Sequence, residues 1–368
     1  MGSRFFYTVY SRERKKPKLK EVKRLRRRLV IGVLVIGMMM FVACGNNPQI
    51  GLSNTEEPQI TSGNMKTEQD SKNDADISES ALFARNTAIA DVITDSVFGD
   101  YGRLIFPVDE GYYSGNTLEN LGLTWYSHID PDKTVEIVNY MKTHAEAGEQ
   151  VFYDIYTEEE KAADPAKEDT GLFFFKGNPG EKFAICNAGG GFAYVGAMHD
   201  SFPHALELSK QGYNAFALIY RPGAQTACED LARAIRFVFE HAEELEIDTD
   251  CYSLWGGSAG ARMAAWLGSY GTENFGETTY PRPGAVIMQY TGLSEVTGNE
   301  PPTYNCVGTS DGIASYRTMQ ERINRIQSQG TDTEIEVFDG LPHGFGLGKG
   351  TVAEGWLDNA IAFWEKQM

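Results

Sequence analysis

The stretch Trp255-Gly256-Gly257-Ser258-Ala259-Gly260 separates an apolar, strand-like run at residues 251–255 from a helix-like run at residues 261–267. A Gly-x-Ser-x-Gly motif between a strand and a helix predicts a sharp, strained turn that exposes the serine Oγ. Glycine is needed two positions before and after the serine, because the strand and helix backbones nearly touch there. The motif therefore marks Ser258 as a candidate nucleophile.

A second glycine-rich segment lies upstream. Residues 182–187 have the pattern of a buried strand and continue directly into Ala188-Gly189-Gly190-Gly191. Consecutive glycines allow backbone N–H groups to point toward an oxyanion, and donors preset in this way stabilise a tetrahedral intermediate. We predict that the N–H groups of Gly190, Gly191 and Ala259 form an oxyanion hole. The alternative is a flexible loop between a strand and a helix.

Candidate acid and base residues follow later strands. Asp311 comes after the strand-like run 303–308, and His343 comes after the run 334–338. Open α/β sheets place their sites at the carboxyl ends of strands, which is where both residues fall. Glu295, after the run 285–289, is the alternative candidate for the acid. We expect the other five histidines to have surface or capping roles: His128, His144, His199, His204 and His241.

Over residues 150–368 these motifs resemble the α/β-hydrolase superfamily. The order Ser258, Asp311, His343 is that of the superfamily, and Tyr220-Arg221-Pro222 is similar to a segment of its HGGG-type esterases. Those esterases include hormone-sensitive-lipase-like and feruloyl or acetyl-xylan-esterase-like enzymes. Ala188 stands where that family usually has histidine.

The resemblance implies a doubly wound, mostly parallel sheet with helices on both faces. It also implies a serine carboxylesterase that needs no cofactor and no metal. The expected substrates are short-chain acyl esters of small molecules or carbohydrates, such as acetyl or feruloyl esters. A prolyl-oligopeptidase-type peptidase and a catalytically silent binding lipoprotein are the alternatives. The sequence contains no propeller-sized partner segment, and its full set of candidate catalytic residues favours an enzyme.

The hydrophobic pattern of residues 150–368 independently indicates the same architecture. Apolar strand-like runs alternate with amphipathic helix-like runs, which is typical of a mostly parallel sheet covered on both faces. The predicted strands are 151–156, 172–175, 183–187, 215–220, 252–255, 285–289, 304–307 and 334–338, the first two as a hairpin. The predicted helices are 201–211, 227–244, 258–270, 315–330 and 351–367.

The N-terminus has the layout of a signal peptide. Residues 12–28 are densely basic, residues 29–42 are uncharged and apolar, and Ala43 precedes Cys44. The apolar run is shorter than the roughly 20 residues of a spanning helix. The segment resembles a bacterial lipoprotein signal, which implies lipidation of Cys44 and a membrane-anchored protein on the extracytoplasmic cell surface. An uncleaved membrane anchor is the alternative.

We therefore divide the chain into a signal segment (1–44), a polar, disordered tether (45–85) and a hydrolase domain (86–368). Within that domain, residues 86–150 form an N-terminal extension or cap that is rich in aromatic residues. We expect most of these aromatics to pack the edge of the sheet, the alternative being a wall of the substrate pocket. The cysteines on predicted strands, Cys186, Cys251 and Cys306, are expected to be small buried hydrophobes rather than disulfide partners.

The charge balance argues against nucleic acid as a partner. The chain has 33 basic and 51 acidic residues, and the 43 residues before Cys44 hold 12 basic and two acidic ones. A mature chain that starts at Cys44 therefore has 21 basic against 49 acidic residues, a net charge of −28. Such a chain is repelled by nucleic acids and other polyanions.

Overall fold

The computed structural model describes residues 81–107 and 112–368. The signal segment predicted at residues 1–44, with Cys44, lies outside the described residues, as does most of the predicted tether. Within the described part of the chain, none of the helices is both long enough and apolar enough to cross a membrane.

An eight-stranded sheet forms the centre of the fold. Its strands are β3 (Phe152–Tyr153), β4 (Gly171–Phe175), β5 (Lys182–Asn187), β6 (Asn214–Ile219), β7 (Asp248–Gly257), β8 (Ala285–Gln289), β9 (Thr303–Gly308) and β10 (Thr333–Phe338). They are arranged in the order β10-β9-β8-β7-β5-β6-β4-β3. Neighbouring strands from β10 to β6 are parallel, whereas β4 is antiparallel to both β6 and β3. The prediction of a mostly parallel sheet is confirmed.

The burial of the strands follows from their position in the sheet. Every residue of β4, β6, β8 and β9 is buried, as expected for strands covered on both faces. The edge strand β10 has no fully buried residue and carries Glu334 and Glu336. Charged side chains on an edge strand oppose pairing with another chain.

Helices cover both faces of this sheet. They are α1 (Ile89–Ile93), α2 (Pro131–Glu146), α3 (Glu158–Ala163), α4 (Ala197–Asp200), α5 (Phe202–Lys210), α6 (Ala224–Glu240), α7 (Ala259–Tyr270), α8 (Tyr316–Gln327) and α9 (Trp356–Glu365). The β5–α5–β6 connection moves along the sheet in one direction, and β6–α6–β7 and β7–α7–β8 move in the other. Because such crossovers are right-handed, α5 lies on one face and α6 and α7 lie on the opposite face.

The reversal of strand order determines where a site can form. From β5 the chain crosses toward one edge of the sheet to form β6, and it then returns past β5 to form β7. Strands β5 and β7 are adjacent and parallel. A crevice opens at such a switch point, outside the carboxyl ends of the two strands. The loop after β5 starts with Ala188, and the turn after β7 is Ser258. The fold therefore brings the glycine-rich loop and the candidate nucleophile together.

Residues of the N-terminal extension serve two different regions. Phe98 is buried, and the ring of Tyr101 stacks on that of Phe152 at 5.2 Å and meets that of Phe173 at 6.0 Å, at the β3–β4 edge of the sheet. This agrees with the expected edge packing. The part of the extension that includes Trp125 instead lies against the loop after β5. The extension also contains the short antiparallel pair β1 (Tyr113–Ser114) and β2 (Gly122–Leu123).

Two local expectations change in detail. Strand β3 has two residues rather than the predicted run 151–156, and α3 separates it from β4, so the pair is not a simple hairpin. The thiols of Cys186, Cys228, Cys251 and Cys306 are free. All of them are buried except Cys251, which is half-buried. Cys186 and Cys306 are therefore small buried side chains, as expected, whereas the thiol of Cys251 donates to the carbonyl oxygen of Gln367 at 3.0 Å.

Candidate active site

The turn at Ser258 has the strained geometry that the motif predicts. Ser258 has φ 51° and ψ −109°, between the end of β7 and the start of α7. A Cβ atom on Gly260 would lie 2.0 Å from the carbonyl oxygen of Asn187, and one on Gly256 would lie 2.3 Å from the carbonyl carbon of Gly260. Both neighbours are backbone atoms that cannot move aside. Only glycine fits at these two positions, and the strained turn places the Ser258 side chain at the crevice.

The structure brings Ser258, His343 and Asp311 together. The Nε2 atom of His343 is 3.1 Å from Ser258 Oγ, and its Nδ1 atom is 2.7 Å from Asp311 Oδ2. Asp311 also accepts hydrogen bonds from the backbone N–H groups of Ile313 and Ala314, which orient its fully buried side chain. The rival acid Glu295 instead accepts a hydrogen bond from the hydroxyl of Tyr270.

The loop after β5 has free donors. Gly190 and Gly191 adopt φ values of 128° and 63°, and Ala259 is the first residue of α7. Among the described residues, no acceptor takes the backbone N–H of any of these three. The loop is closed on itself, because Gly190 accepts hydrogen bonds from the N–H groups of Ala193 and Tyr194. A turn with three unused donors near a serine hydroxyl suits the binding of an oxyanion.

Two side chains hold the start of this loop. The hydroxyl of Tyr220 donates to the carbonyl oxygen of Ala188 at 2.7 Å. The carboxylate of Asp200 accepts from the N–H of Gly189 at 2.7 Å. The loop is thus fixed on both sides of the Ala188–Gly189 peptide, although alanine occupies the position where similar esterases have histidine.

Asp200 is a second buried carboxyl group beside the site. Besides Gly189 it accepts hydrogen bonds from the hydroxyls of Tyr126, at 3.0 Å, and Tyr290. A Cβ atom on Gly257 would lie 2.2 Å from Asp200 Oδ2, so the carboxylate fills the space directly beside the serine turn. Burial raises the pKa of Asp200 to about 6, and the three hydrogen bonds oppose that shift. The ring of Tyr290 also packs on that of His343, with centroids 4.9 Å apart.

Residues 124–127 form a strap across the site. Ser127 donates from its N–H to the carbonyl of Gly344 at 3.0 Å, and from its hydroxyl to the carbonyl of His343 at 2.9 Å. The Trp125 ring lies 3.0 Å from the position of a Cβ atom on Gly191 and stacks on Tyr194. Trp125 is 46% exposed. The strap therefore connects the loop of the base to the glycine-rich loop and leaves an indole at the surface between them.

Two histidines contradict the expectation of surface or capping roles. His199 and His204 are buried, and His199 Nε2 lies 2.8 Å from the carbonyl oxygen of Gly344. His204 packs 5.5 Å from Trp356 of α9. Burial lowers the pKa of His199 to about 4 and that of His204 to about 3. They lie inside because α4 and α5 are covered by α9 and by the His343 loop, which local sequence does not reveal.

Asp200, Tyr126 and Tyr290 are the site residues that sequence reasoning missed. Asp200-Ser201 has the pattern of a helix start, and this pattern hid the buried role of Asp200. One signal was present, because Asp200 is the only acidic residue in the mainly apolar run 192–206. Acidic side chains are almost never fully buried without partners, but Tyr126 and Tyr290 lie 74 and 90 positions away in sequence.

Comparison with known proteins agrees with this geometry. Residues 177–317 match the family model described as BD-FAE. The fold is similar to that of an acetyl ester-xyloside bifunctional hydrolase from Caldicellulosiruptor lactoaceticus, with 20% identity and a TM-score of 0.52. The match covers 58% of this chain and 95% of that one. This chain has the α/β-hydrolase fold. A propionate-bound esterase from Thermogutta terrifontis matches over 58% of this chain and 93% of the esterase, at 21% identity and a TM-score of 0.48.

No curated protein matches this chain in sequence. The BD-FAE match includes Gly190, Ser258 and Asp311 but ends before His343, and it starts after the strap. Among residues 81–107 and 112–368, no group of three or more histidine, cysteine or acidic side chains is placed to hold a metal ion. The described site thus consists of a serine, a histidine and a carboxylate in hydrogen-bond contact, the arrangement of a serine hydrolase.

Proposed function

We propose that this hydrolase is a serine carboxylesterase that cleaves short-chain acyl esters. The contact between His343 Nε2 and Ser258 Oγ, at 3.1 Å, is the observation that carries the proposal. At this distance the imidazole takes the hydroxyl proton as Oγ attacks a carbonyl carbon. The BD-FAE match and the similarity to the acetyl ester-xyloside bifunctional hydrolase from Caldicellulosiruptor lactoaceticus support an ester as substrate.

Each site residue then has a role in two half-reactions. His343 accepts the Ser258 proton and passes it to the leaving alcohol, while Asp311 holds the imidazole in the required tautomer and stabilises its charged form. The N–H groups of Gly190, Gly191 and Ala259 bind the oxyanion. A water molecule, deprotonated by His343, then attacks the acyl-enzyme and releases the acid, and the proton returns to Ser258 Oγ.

The loops around Ser258 favour a small acyl group. The segments 291–294, 309–312 and 344–348 consist mainly of small and polar residues. An enzyme for long acyl chains needs a broad apolar entrance instead. Each methylene that does not fit a closed pocket costs on the order of 1–3 kcal/mol in transition-state binding.

A series of 4-nitrophenyl esters from acetyl to decanoyl tests this proposal. We expect kcat/KM to be highest from acetyl to butyryl and to fall for longer chains. A steady rise to the decanoyl ester would indicate an open acyl groove and a lipase. If the enzyme hydrolyses proline-containing peptides and cleaves none of the esters, the alternative of a prolyl-oligopeptidase-type peptidase is supported instead.

We propose that a ring of the substrate packs on Trp125, either a sugar in the alcohol part or the aromatic ring of a feruloyl acyl group. The exposed indole of Trp125 beside the glycine-rich loop offers a flat apolar surface to a sugar or a feruloyl ring. The similar hydrolase from Caldicellulosiruptor lactoaceticus is described as acting on acetyl ester and xyloside substrates. Acetylated xylo-oligosaccharides and methyl ferulate test the two ring types, and Trp125→Ala should raise KM for the preferred one. If the KM values of Trp125→Ala equal those of the wild type, Trp125 does not bind the substrate.

We also propose that the enzyme works at the outer cell surface, held by a lipid on Cys44. The support is the basic run 12–28, the apolar run 29–42 and the Ala43-Cys44 pair. A single acyl chain binds a membrane only marginally, whereas several chains on one cysteine anchor it firmly.

A further inference from the structure

Arg262 lies one helical turn after the proposed nucleophile. Its N–H donates to the carbonyl oxygen of Ser258 at 3.4 Å, and its side chain is half-buried on α7. Ser258 is the N-cap of α7 and Arg262 is the fourth residue of this helix, so one helical turn, about 5.4 Å, separates them along the axis. Trp266, a further four positions along, is on the same helix face as Arg262 and is also half-buried.

The guanidinium of Arg262 points between the loops that build the site. Its Nε atom is 3.4 Å from Thr291 Oγ1, and Nη2 would be 3.7 Å from a Cβ atom on Gly292. Gly292 in turn faces Ala314, whose N–H holds Asp311. On the other side, the ring of Phe192, which follows Gly191, stacks on Trp266 at 6.1 Å. Arg262 therefore lies between the acid loop and the glycine-rich loop.

The charge of Arg262 has no partner in the described part of the chain. Five of the ten described arginines form ion pairs, namely Arg85, Arg103, Arg221, Arg233 and Arg236. Three more, Arg282, Arg322 and Arg325, donate to main-chain carbonyls, and the exposed Arg317 lies over the ring of Tyr316. Arg262 has only the 3.4 Å contact with Thr291, which is long for a hydrogen bond.

We infer that Arg262 binds a carboxylate group carried by the substrate, an inference that rests on the proposed esterase function. A guanidinium binds a carboxylate through two parallel hydrogen bonds, and a half-buried site strengthens them. A carboxylate two methylenes from the ester carbonyl suits the spacing between Ser258 Oγ, which attacks that carbonyl, and Arg262, which lies one helical turn away. A carboxylate on the leaving alcohol supplies the same chemistry from the other side of the bond.

Two pairs of esters distinguish these sources. The acyl pair is 4-nitrophenyl hemisuccinate against 4-nitrophenyl butyrate, and the alcohol pair is 4-acetoxybenzoate against phenyl acetate. In Arg262→Gln, we expect the charged-to-neutral ratio of kcat/KM to fall about ten- to a hundred-fold for one pair, as for a lost hydrogen bond between charged groups. The pair whose ratio falls shows whether the acyl part or the alcohol part of the substrate carries the carboxylate.

Two further variants separate charge recognition from structural damage. Arg262→Lys keeps the charge without the planar fork and should retain part of the preference. Lys366→Gln removes one positive charge beside the edge strand β10, where Lys366 pairs with Glu334 at 3.8 Å and is 66% exposed. It should leave both ratios at the wild-type value. Added salt should weaken the preference of the wild-type enzyme for the charged ester.

The outcomes separate this inference from the proposed function. If the wild-type enzyme cleaves the neutral esters and Arg262→Gln leaves both charged-to-neutral ratios unchanged, Arg262 is not a carboxylate subsite and the esterase function stands. If the wild-type enzyme cleaves none of the four esters, the proposed function itself fails, and the inference fails with it.

Discussion

At the scale of single residues, Ser258 is the first test of the proposed chemistry. Ser258→Ala should reduce ester hydrolysis below about a thousandth of the wild-type rate, because binding and the oxyanion hole alone give only residual catalysis. Labelling by a fluorophosphonate probe should disappear. The Tm should stay nearly the same, since Ser258 Oγ bonds only to His343 among the described residues.

Ser328→Ala is a matched control at the end of α8, where the hydroxyl bonds to the carbonyl oxygen of Arg325. It should be labelled and active like the wild type. A Ser258→Ala enzyme that kept more than about a thousandth of the activity would show that another residue is the nucleophile.

Asp200 is the second residue to test, because its carboxylate holds the glycine-rich loop through Gly189. Asp200→Asn keeps the size but replaces an acceptor by an amide donor. We expect kcat to fall about ten- to a hundred-fold, with KM changed less than about three-fold, since loss of a hydrogen bond to a charged group disturbs the oxyanion donors. The exposed Asp358→Asn, bonded to Gln211, is the control and should keep both constants.

The pH dependence of stability provides a separate test of Asp200. Its pKa of about 6 in the folded protein lies above the ordinary value of 3.8, so the folded state binds this proton more tightly than the unfolded state. The free energy of unfolding contributed by this group therefore falls as pH rises from about 4 to 6. Asp200→Asn has no titrating group at this position and does not lose this stability. Its Tm should therefore rise relative to that of the wild type as pH increases from about 4 to 6. If the difference in Tm between the two proteins stays constant with pH, the pKa of Asp200 is not raised in the folded protein.

At the scale of secondary-structure elements, the contact between α7 and β5 controls the serine turn. Helix propensity alone predicts that Gly260→Ala stabilises the protein by up to about 1 kcal/mol. The structure predicts the opposite, because the new Cβ would lie 2.0 Å from the carbonyl oxygen of Asn187. Overpacking of this kind costs about 1–3 kcal/mol or more. Urea unfolding of both proteins measures the sign, and a stabilised variant would contradict the close approach of the two elements.

The elements were largely predictable from sequence, because each has a local signal. Continuous apolar runs mark β4 to β9, and the glycines around Ser258 mark the sharp turn between β7 and α7. Contacts between distant segments had no such signal. The strap contacts residues more than 200 positions away, and its path depends on how the extension folds over the sheet. The same limit concealed the burial of His199 and His204.

At the scale of the whole molecule, the proposed lipid anchor predicts a defined N-terminus. Cells that express the full chain should hold the enzyme in the membrane fraction, with a mature protein that starts at a diacylglyceryl-modified Cys44. Mass spectrometry of the N-terminal peptide measures this directly. Cys44→Ser should give a chain without the lipid. An unmodified chain that starts at Met1 would rule out the lipoprotein proposal.

The strap has a consequence for attempts to trim the enzyme. A minimal fragment chosen by sheet boundaries would begin near Phe152, and one chosen by the BD-FAE match would end at residue 317. The first fragment lacks Ser127 and Trp125, so the loops that carry His343 and Gly191 lose their common support. The second lacks the histidine itself. Protein engineers should therefore treat residues 86–368 as one indivisible catalytic unit, in which an N-terminal deletion acts like an active-site mutation.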